Sequence, residues 1–345
     1  MRAGYTRFVT SESPFLPCEY GFVRSWNSLH ACGVVPFAPV YRARLPLQSA
    51  TQFCCAWKSG VRLRLVGGRN RAQSDRARFT IQHQPVESNG TPMSVHSKKE
   101  QIQTLREQGF VVAPGLVSPE RCGELKQIAE RQLEEAAAPI EFEADLRYPG
   151  APESKHAPGG HTVRRLLDAY GRHPSFAQWA TAPEIRGWME LYFGEEPRLS
   201  RAHHNCMMTK HPAYGSLTGW HRDVRYWSFE RDDLVSVWLA VGDETIDNGA
   251  LWFVPKSHSA AFTSDRFDEA KFFRSDLEEN QALIRTAVSP ELKAGDVVFF
   301  HCNTLHSAGK NLSDQVKFSL VFTYHGLSNV PLPGSRSAAK PEIAF

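Results

Sequence analysis

The chain lacks several features that would place it quickly. No uninterrupted apolar run reaches the ~18 residues of a membrane span, so no transmembrane helix is expected. There is no Cys-x-x-Cys pair, and the seven cysteines, at 18, 32, 54, 55, 122, 206 and 302, are odd in number. Adjacent Cys54 and Cys55 suit a disulfide poorly, because disulfide geometry is specific. The cysteines read as free thiols of a reducing compartment, with no Cys-based zinc site. The net charge of +3 is too small to argue for or against nucleic acid.

What is present fits a soluble globular protein. The 345 residues are 41% hydrophobic and 22% charged, enough for one large or two ordinary domains with a full core. The charge is uneven. Residues 1–92 hold 11 Arg and 1 Lys against 3 Glu and 1 Asp, a net of +8 that leaves −5 for the remainder. This quarter shows no sustained period of 2 or 3.6 and reads as a poorly ordered basic extension. Three readings stand: a targeting segment, a disordered basic arm, or upstream sequence ahead of a start at Met93. The last is favoured, since an orderly pattern begins at Met93. The expected location is cytoplasmic, or an organelle if 1–92 is a transit segment.

Beyond Ser97 the chain punctuates itself. Ser97 caps a helix with Ile102 and Leu105 on one face, and Gly109 ends it. A strand is expected at 110–115, then a helix from Ser118–Pro119 to about Ala137. A loop covers 147–162, and short helices are expected at 163–170, 174–180 and 184–193. After Pro197 come β-branched and aromatic stretches: 200–212, 234–242, 250–258, 296–301 and 316–325. Residues 274–280 read as a solvated turn or helix face. Helices followed by many short strands give an α+β chain whose β part is a sandwich or jelly roll.

Chemistry centres on "GWHRDVRYW", 219–227. His221 and Asp223 are two apart, and residues i and i+2 of a strand share a face. The pair is either an incidental charged patch or two ligands of one ion. A third ligand must come from a distant strand, and His306 is the best candidate, with His301 a rival that more simply ends its own strand. Two histidines and a carboxylate on one face match the facial triad of non-haem Fe(II) oxygenases. His203 and His204 are neighbours on a strand, so at most one points inward.

The segments "HRD", "WLAVGDETIDNGALWFVPKSHS" and "HCNTLHSAGKNLSDQVKFSL" resemble the phytanoyl-CoA dioxygenase family of Fe(II)- and 2-oxoglutarate-dependent oxygenases. The likeness spans roughly 98–330 and includes the opening "EQGFVVAPGLVSPE". It puts the metal ligands on His221, Asp223 and His306, the last within the run His306, Gly309, Asn311, Ser313. Trp238 matches the strand tryptophan, packing around the site. Asn248-Gly249 and Pro255, Ser257 and His258 match the strand before the distal histidine.

The resemblance implies a double-stranded β-helix, jelly-roll or cupin-like, with N-terminal and flanking helices. A dioxygenase domain would cover 93–335, with a tail at 336–345. It further implies Fe(II), 2-oxoglutarate and O2 as cofactors, succinate as coproduct, and hydroxylation of a small organic substrate. Asp223 favours hydroxylation, since halogenating relatives lack this carboxylate. Eleven residues past the distal histidine the family has an Arg for the far carboxylate of 2-oxoglutarate. This chain has Lys317, a point charge without a bidentate fork. Weaker cosubstrate binding or a different 2-oxo acid would follow. Lys317 is alternatively a plain strand lysine, and Lys210 or Arg222 then has to serve.

The resemblance implies cosubstrate-contacting side chains on the strand 200–212, which makes Asn205, Thr209 and Lys210 further candidates, or else incidental beside a core of Cys206, Met207 and Met208. Arg164, Arg165 and Arg225 are candidates for an anionic substrate. The loops 147–162 and 224–233 set specificity. The expected partner is a small molecule, with neither nucleic acid nor membrane, and the sequence leaves the oligomeric state open. A second reading is a jelly-roll ligand-binding or regulatory protein that keeps the metal site without turnover.

Overall fold

The computed structural model describes residues 97–146 and 148–345. The expectations for 1–92 and for the start at Met93 lie outside the described residues. Among the described residues no helix is long and apolar enough to cross a membrane.

The chain opens with helix α1 (Lys98–Gln108), strand β1 (Phe110–Ala113) and helix α2 (Pro119–Glu134). Ser97 and Glu100 form a reciprocal capping box at α1, and Gly109 ends it at φ 83°. Ser118 caps α2, with Pro119 supplying a first helical residue that needs no N–H. Next come β2 (Ile140–Phe142), α3 (Glu143–Leu146), β3 (Val163–Leu167), α4 (Ala169–Arg172), α5 (Pro174–Ala180) and α6 (Pro183–Phe193). The β-rich part follows: β4 (Pro197–Lys210), β5 (Thr218–His221), β6 (Leu234–Ala240) and β7 (Leu251–Phe253). After helix α7 (Glu278–Ile284) come β8 (Val297–His301), β9 (His306–Ala308), β10 (Lys317–Gly326) and β11 (Ile343–Ala344).

Among the described residues the named strands pair antiparallel. The large sheet runs β1-β8-β6-β10-β4-β3-β2, with β11 added to β4, and the small one runs β5-β9-β7. The pleat sends alternate residues to opposite faces. On β10, Phe318, Leu320, Phe322 and Tyr324 join the helix-side core with Phe176, Ile185 and Trp188. Val321 faces the other way and packs with Trp238, Phe300, Leu251 and Phe253, the last two from the small sheet. The large sheet is thus covered by helices on one face and by the small sheet on the other. The cavity described below opens between the sheets.

Three expectations change. Residues 163–167 form a strand where a helix was expected, because β4 offers a ladder partner: Arg165, Leu166 and Leu167 pair with Met208, Met207 and Cys206. Tertiary pairing overrides a weak local helical preference. The segment set apart as a tail, 336–345, joins the domain, since Ile343 and Ala344 pair with Leu199 and Arg198. The strand expected over 250–258 breaks after Phe253, and a turn holding Pro255 and Ser257 follows.

Gly249 shows how tightly the two ends of the site pack. It sits at φ 81°, and a Cβ there would lie 2.8 Å from the Gly309 carbonyl and 3.2 Å from the Lys210 side chain. Gly249→Ala is expected to cost at least about 1–2 kcal/mol from the left-handed backbone alone. Urea unfolding measures this, and an unchanged midpoint would contradict the reading.

Candidate metal centre and its cavity

His221 ends β5, and Asp223 begins the 3-10 turn Asp223–Tyr226. Arg222 between them is extended, at φ −108° and ψ 138°. The two side chains therefore keep to one side although the strand stops at His221. His306 opens β9 and pairs with His221 in the ladder. The register brings together residues 85 apart in sequence. The ligand atoms of His221, Asp223 and His306 all lie within 4.8 Å of one another, and all three residues are buried.

The surroundings fix the chemical state of each donor. His221 Nδ1 lies 2.8 Å from the Gly219 carbonyl, and His306 Nδ1 lies 3.0 Å from the Thr304 carbonyl. A carbonyl oxygen only accepts, so each Nδ1 carries the proton and donates it. The lone pairs of both Nε2 atoms are left to face Asp223 Oδ1, at 3.7 and 3.5 Å. Burial pushes both imidazoles down from their ordinary range, which keeps them neutral. Burial opposes the Asp223 charge, yet the charge and hydrogen bond of His204 hold its carboxyl well below the usual range. Two neutral imidazoles and one carboxylate form a donor set suited to a divalent transition metal.

Outer contacts orient these donors. Ser236 Oγ donates to Asp223 Oδ2 at 3.0 Å, and His204 Nε2 lies 2.9 Å from Oδ1. Burial works against the His204 charge, but Asp223 carries its pKa up to about 9. Neighbouring His203 points away, to Ser337 Oγ at 2.7 Å. Ser257 accepts from Leu305 N at 2.8 Å, which anchors the chain one residue before His306. Arg222 turns from the cavity and donates to the Ser257 and Ala260 carbonyls at 2.6 and 2.8 Å. His301 stays outside the cluster, its Nδ1 accepting from Asn303 N at 3.1 Å.

From the donors a cavity runs between apolar walls that include Trp238, Leu251 and Phe300, towards Lys210, Lys317 and Ser319. Lys317 is buried and paired. Its Nζ donates to Glu244 Oε2 at 2.8 Å and to Ser319 Oγ at 3.3 Å, and it stands 5.3 Å from the Trp238 ring. Glu244 is fully buried, and its Oε1 also accepts from Trp238 Nε1 at 2.9 Å and from Ser319 Oγ at 2.6 Å. The plain strand lysine reaching solvent is therefore not what the structure shows.

The β4 candidates differ in what they meet. Lys210 lines the cavity. Asn205 faces the helices, donating to Asp168 at 2.9 Å and accepting from Tyr170 N at 2.8 Å. Asn205 is thus a correction to the expected cosubstrate contact, since its amide is taken up by Asp168 and Tyr170 and does not line the cavity. Thr209 borders the cavity, but its hydroxyl is spent on the Val163 carbonyl at 2.6 Å. Arg164 is bound to Glu143, Ser216 and Thr218. Arg165 lies 3.4 Å from Glu141. Arg225 stacks on Phe272 and Tyr226, with ring centroids 3.9 and 4.4 Å away. Sequence reasoning missed Ser236 and Glu244, and for Glu244 no local signal existed, because Lys317 lies 73 residues away.

An antiparallel α+β frame that gathers two histidines and a carboxylate in a buried cavity has the form of a non-haem metal enzyme. The family model for phytanoyl-CoA dioxygenases matches residues 105–319, and the chain belongs to that family. It is 26% identical over 223 residues to the peroxisomal phytanoyl-CoA dioxygenase of Homo sapiens, covering 61% of this chain and 63% of that protein. The chain thus spans less than two thirds of the length of that relative. It is 24% identical over 253 residues to the ectoine dioxygenase of Bordetella bronchiseptica, covering 68% and 77%. Among solved structures, EctD from S. alaskensis with 2-oxoglutarate and 5-hydroxyectoine superposes with a TM-score of 0.56 at 21% identity, covering 70% and 81%. The 2-oxoglutarate-dependent epimerase SnoN of nogalamycin biosynthesis gives 0.55 at 24%, covering 68% and 85%. These likenesses establish a shared fold. One holds 5-hydroxyectoine and the other is named an epimerase, so the shared fold leaves the reaction to the site.

Proposed function

We propose that this chain is an Fe(II)- and 2-oxoglutarate-dependent dioxygenase that hydroxylates a small organic substrate and releases succinate. The observation that carries the reading is the buried cluster of His221, Asp223 and His306, with both Nε2 lone pairs turned towards Asp223 Oδ1. On this reading the two sheets are the faces of a double-stranded β-helix, and His221, Asp223 and His306 hold the iron. The bound metal supplies the redox chemistry that couples O2 reduction to decarboxylation of the 2-oxo acid and oxidation of a substrate C–H bond.

The chain supplies placement and exclusion of water. The Gly219 and Thr304 carbonyls fix both histidine tautomers, and Ser236 and His204 hold Asp223. Trp238, Leu251 and Phe300 give the cavity a dry wall. The cationic end would seat an anionic cosubstrate. A cytoplasmic location, or an organelle if 1–92 directs it there, fits a small-molecule substrate.

Anaerobic titration of the purified chain with Fe(II) and then 2-oxoglutarate is expected to give a weak visible charge-transfer band that saturates. In air, succinate should form slowly even without substrate. Absence of both would sink the enzyme reading and favour a binding protein that keeps the metal site.

A further inference from the structure

The carboxylate of the metal cluster is backed by a part of the chain that the family model does not reach. That model matches residues 105–319. Beyond it, residues 328–332 run along the loop that follows Asp223. Leu332 N donates to the Ser228 carbonyl at 2.9 Å, Glu230 N donates to the Val330 carbonyl at 3.1 Å, and Phe229 bridges Pro331. Buried Asn329 completes the seam. Its Oδ1 accepts from Arg231 N at 2.9 Å, and its Nδ2 donates to the Arg231 and Asp233 carbonyls at 3.0 Å each.

One hydroxyl links this seam to β4. Ser337 lies in the 3-10 turn Arg336–Ala338 and is 1% exposed. Its Oγ accepts from Ser228 N at 2.8 Å and lies 2.7 Å from His203 Nε2. Burial, then the charge of His204, push His203 down to about 3, so the ring is neutral at pH 7. The hydroxyl that accepts from Ser228 still has its own proton to give, and a neutral ring nitrogen can take it. Ser337 thus joins the loop to the strand, and Trp227 sits between the two anchors. The Trp227 ring lies 5.0 Å from the His203 ring and makes an edge contact with the His204 ring at 5.7 Å. His204 in turn meets Asp223 Oδ1 at 2.9 Å, the oxygen that faces both His221 and His306.

We propose that Ser337 is a positioning residue of the metal centre. It closes a clasp of His203, Trp227 and Ser228 that sets His204 against Asp223, and it acts through His203. This rests on the reading of His221, Asp223 and His306 as metal ligands. Ser337→Ala takes away the hydroxyl that Ser228 N and His203 Nε2 share in a buried place. The His203 ring is then free to turn on Trp227, and His204 loses its backing. Partners just outside the ligands typically tune metal affinity by about 10- to 100-fold. Ser337 stands further out, so the low end of that range is expected.

The test is the Mn(II) affinity of the full chain, measured by dye competition, beside its urea midpoint. Ser337→Ala should bind Mn(II) about tenfold more weakly than wild type. Ile343→Ala loosens the same C-terminal segment at its pairing with Leu199 and its packing on the core, away from the clasp. It should lower the urea midpoint and bind Mn(II) as wild type does. His203→Phe keeps a ring on Trp227 but loses Nε2, and it should match the Ser337→Ala loss. The double variant should then lose little more than either single one. Wild-type affinity in Ser337→Ala overturns the proposal, and so does a loss in Ile343→Ala that follows its stability in the same way. Losses that multiply in the double variant overturn the route through His203. If Ser337→Ala does not fold, wild-type affinity in His203→Phe overturns the proposal by itself. If wild type binds no Mn(II), the reading of the metal ligands falls, and the clasp with it.

Discussion

Asp223→Ala is expected to abolish metal binding at micromolar concentrations while the chain still folds. Asp223 is the one anionic donor of the cluster, since both histidines are held neutral by burial. Its Oδ1 faces His221, His306 and His204 at 3.7, 3.5 and 2.9 Å, and its Oδ2 takes the Ser236 hydroxyl. Loss of an outer partner such as Ser236 typically costs about 10- to 100-fold in metal affinity. Loss of the carboxylate itself should exceed that range. Fold should survive, because β5 keeps its pairing with β9 and the turn after Asp223 keeps its backbone bonds from Val224 to Cys302 and from Trp227 to Val224. Competition with a metal-sensitive dye measures the affinity of Asp223→Ala against wild type. A near wild-type affinity in Asp223→Ala would remove this carboxylate from the site.

The cluster of His221, Asp223 and His306 was legible in the sequence because its spacing carries geometry. An extended Arg222 puts His221 and Asp223 on one side whether or not the strand continues. Residues 200–210 alternate faces, which correctly allowed only one of His203 and His204 to point inward. Asn205 was a candidate only through the family resemblance, and nothing local told that its amide would meet Asp168 and Tyr170 on the helix side. The capping signals at Ser97, Gly109 and Ser118 set the helix ends, for these are contacts within four residues. The strand at 163–167 was illegible for the opposite reason, as its ladder partner β4 lies some 40 residues on. Lys317 was read as a lone substitution, and its meaning changes once Glu244 is beside it. A charge partner 73 residues away leaves no local trace.

That pair supports the second large effect. Glu244→Ala should destabilise the chain by about 3–5 kcal/mol, the cost of breaking a buried ion pair by removing one partner. Glu244 is fully buried, and three donors converge on it: Lys317, Ser319 and Trp238. Without it Lys317 loses its ion-pair partner while still facing Lys210 across β4 and β10. A loss of this size is a large share of the about 5–15 kcal/mol that holds a typical domain. The double variant Glu244→Leu, Lys317→Met should recover nearly all of it, because exchanging a buried pair for apolar side chains is often neutral. Urea unfolding at pH 7 distinguishes the outcomes. A single variant as stable as wild type would mean that water reaches Lys317. A double variant as unstable as the single one would mean that the loss came from packing. If the double variant is stable and still binds 2-oxoglutarate, the pair is dispensable for both fold and cosubstrate.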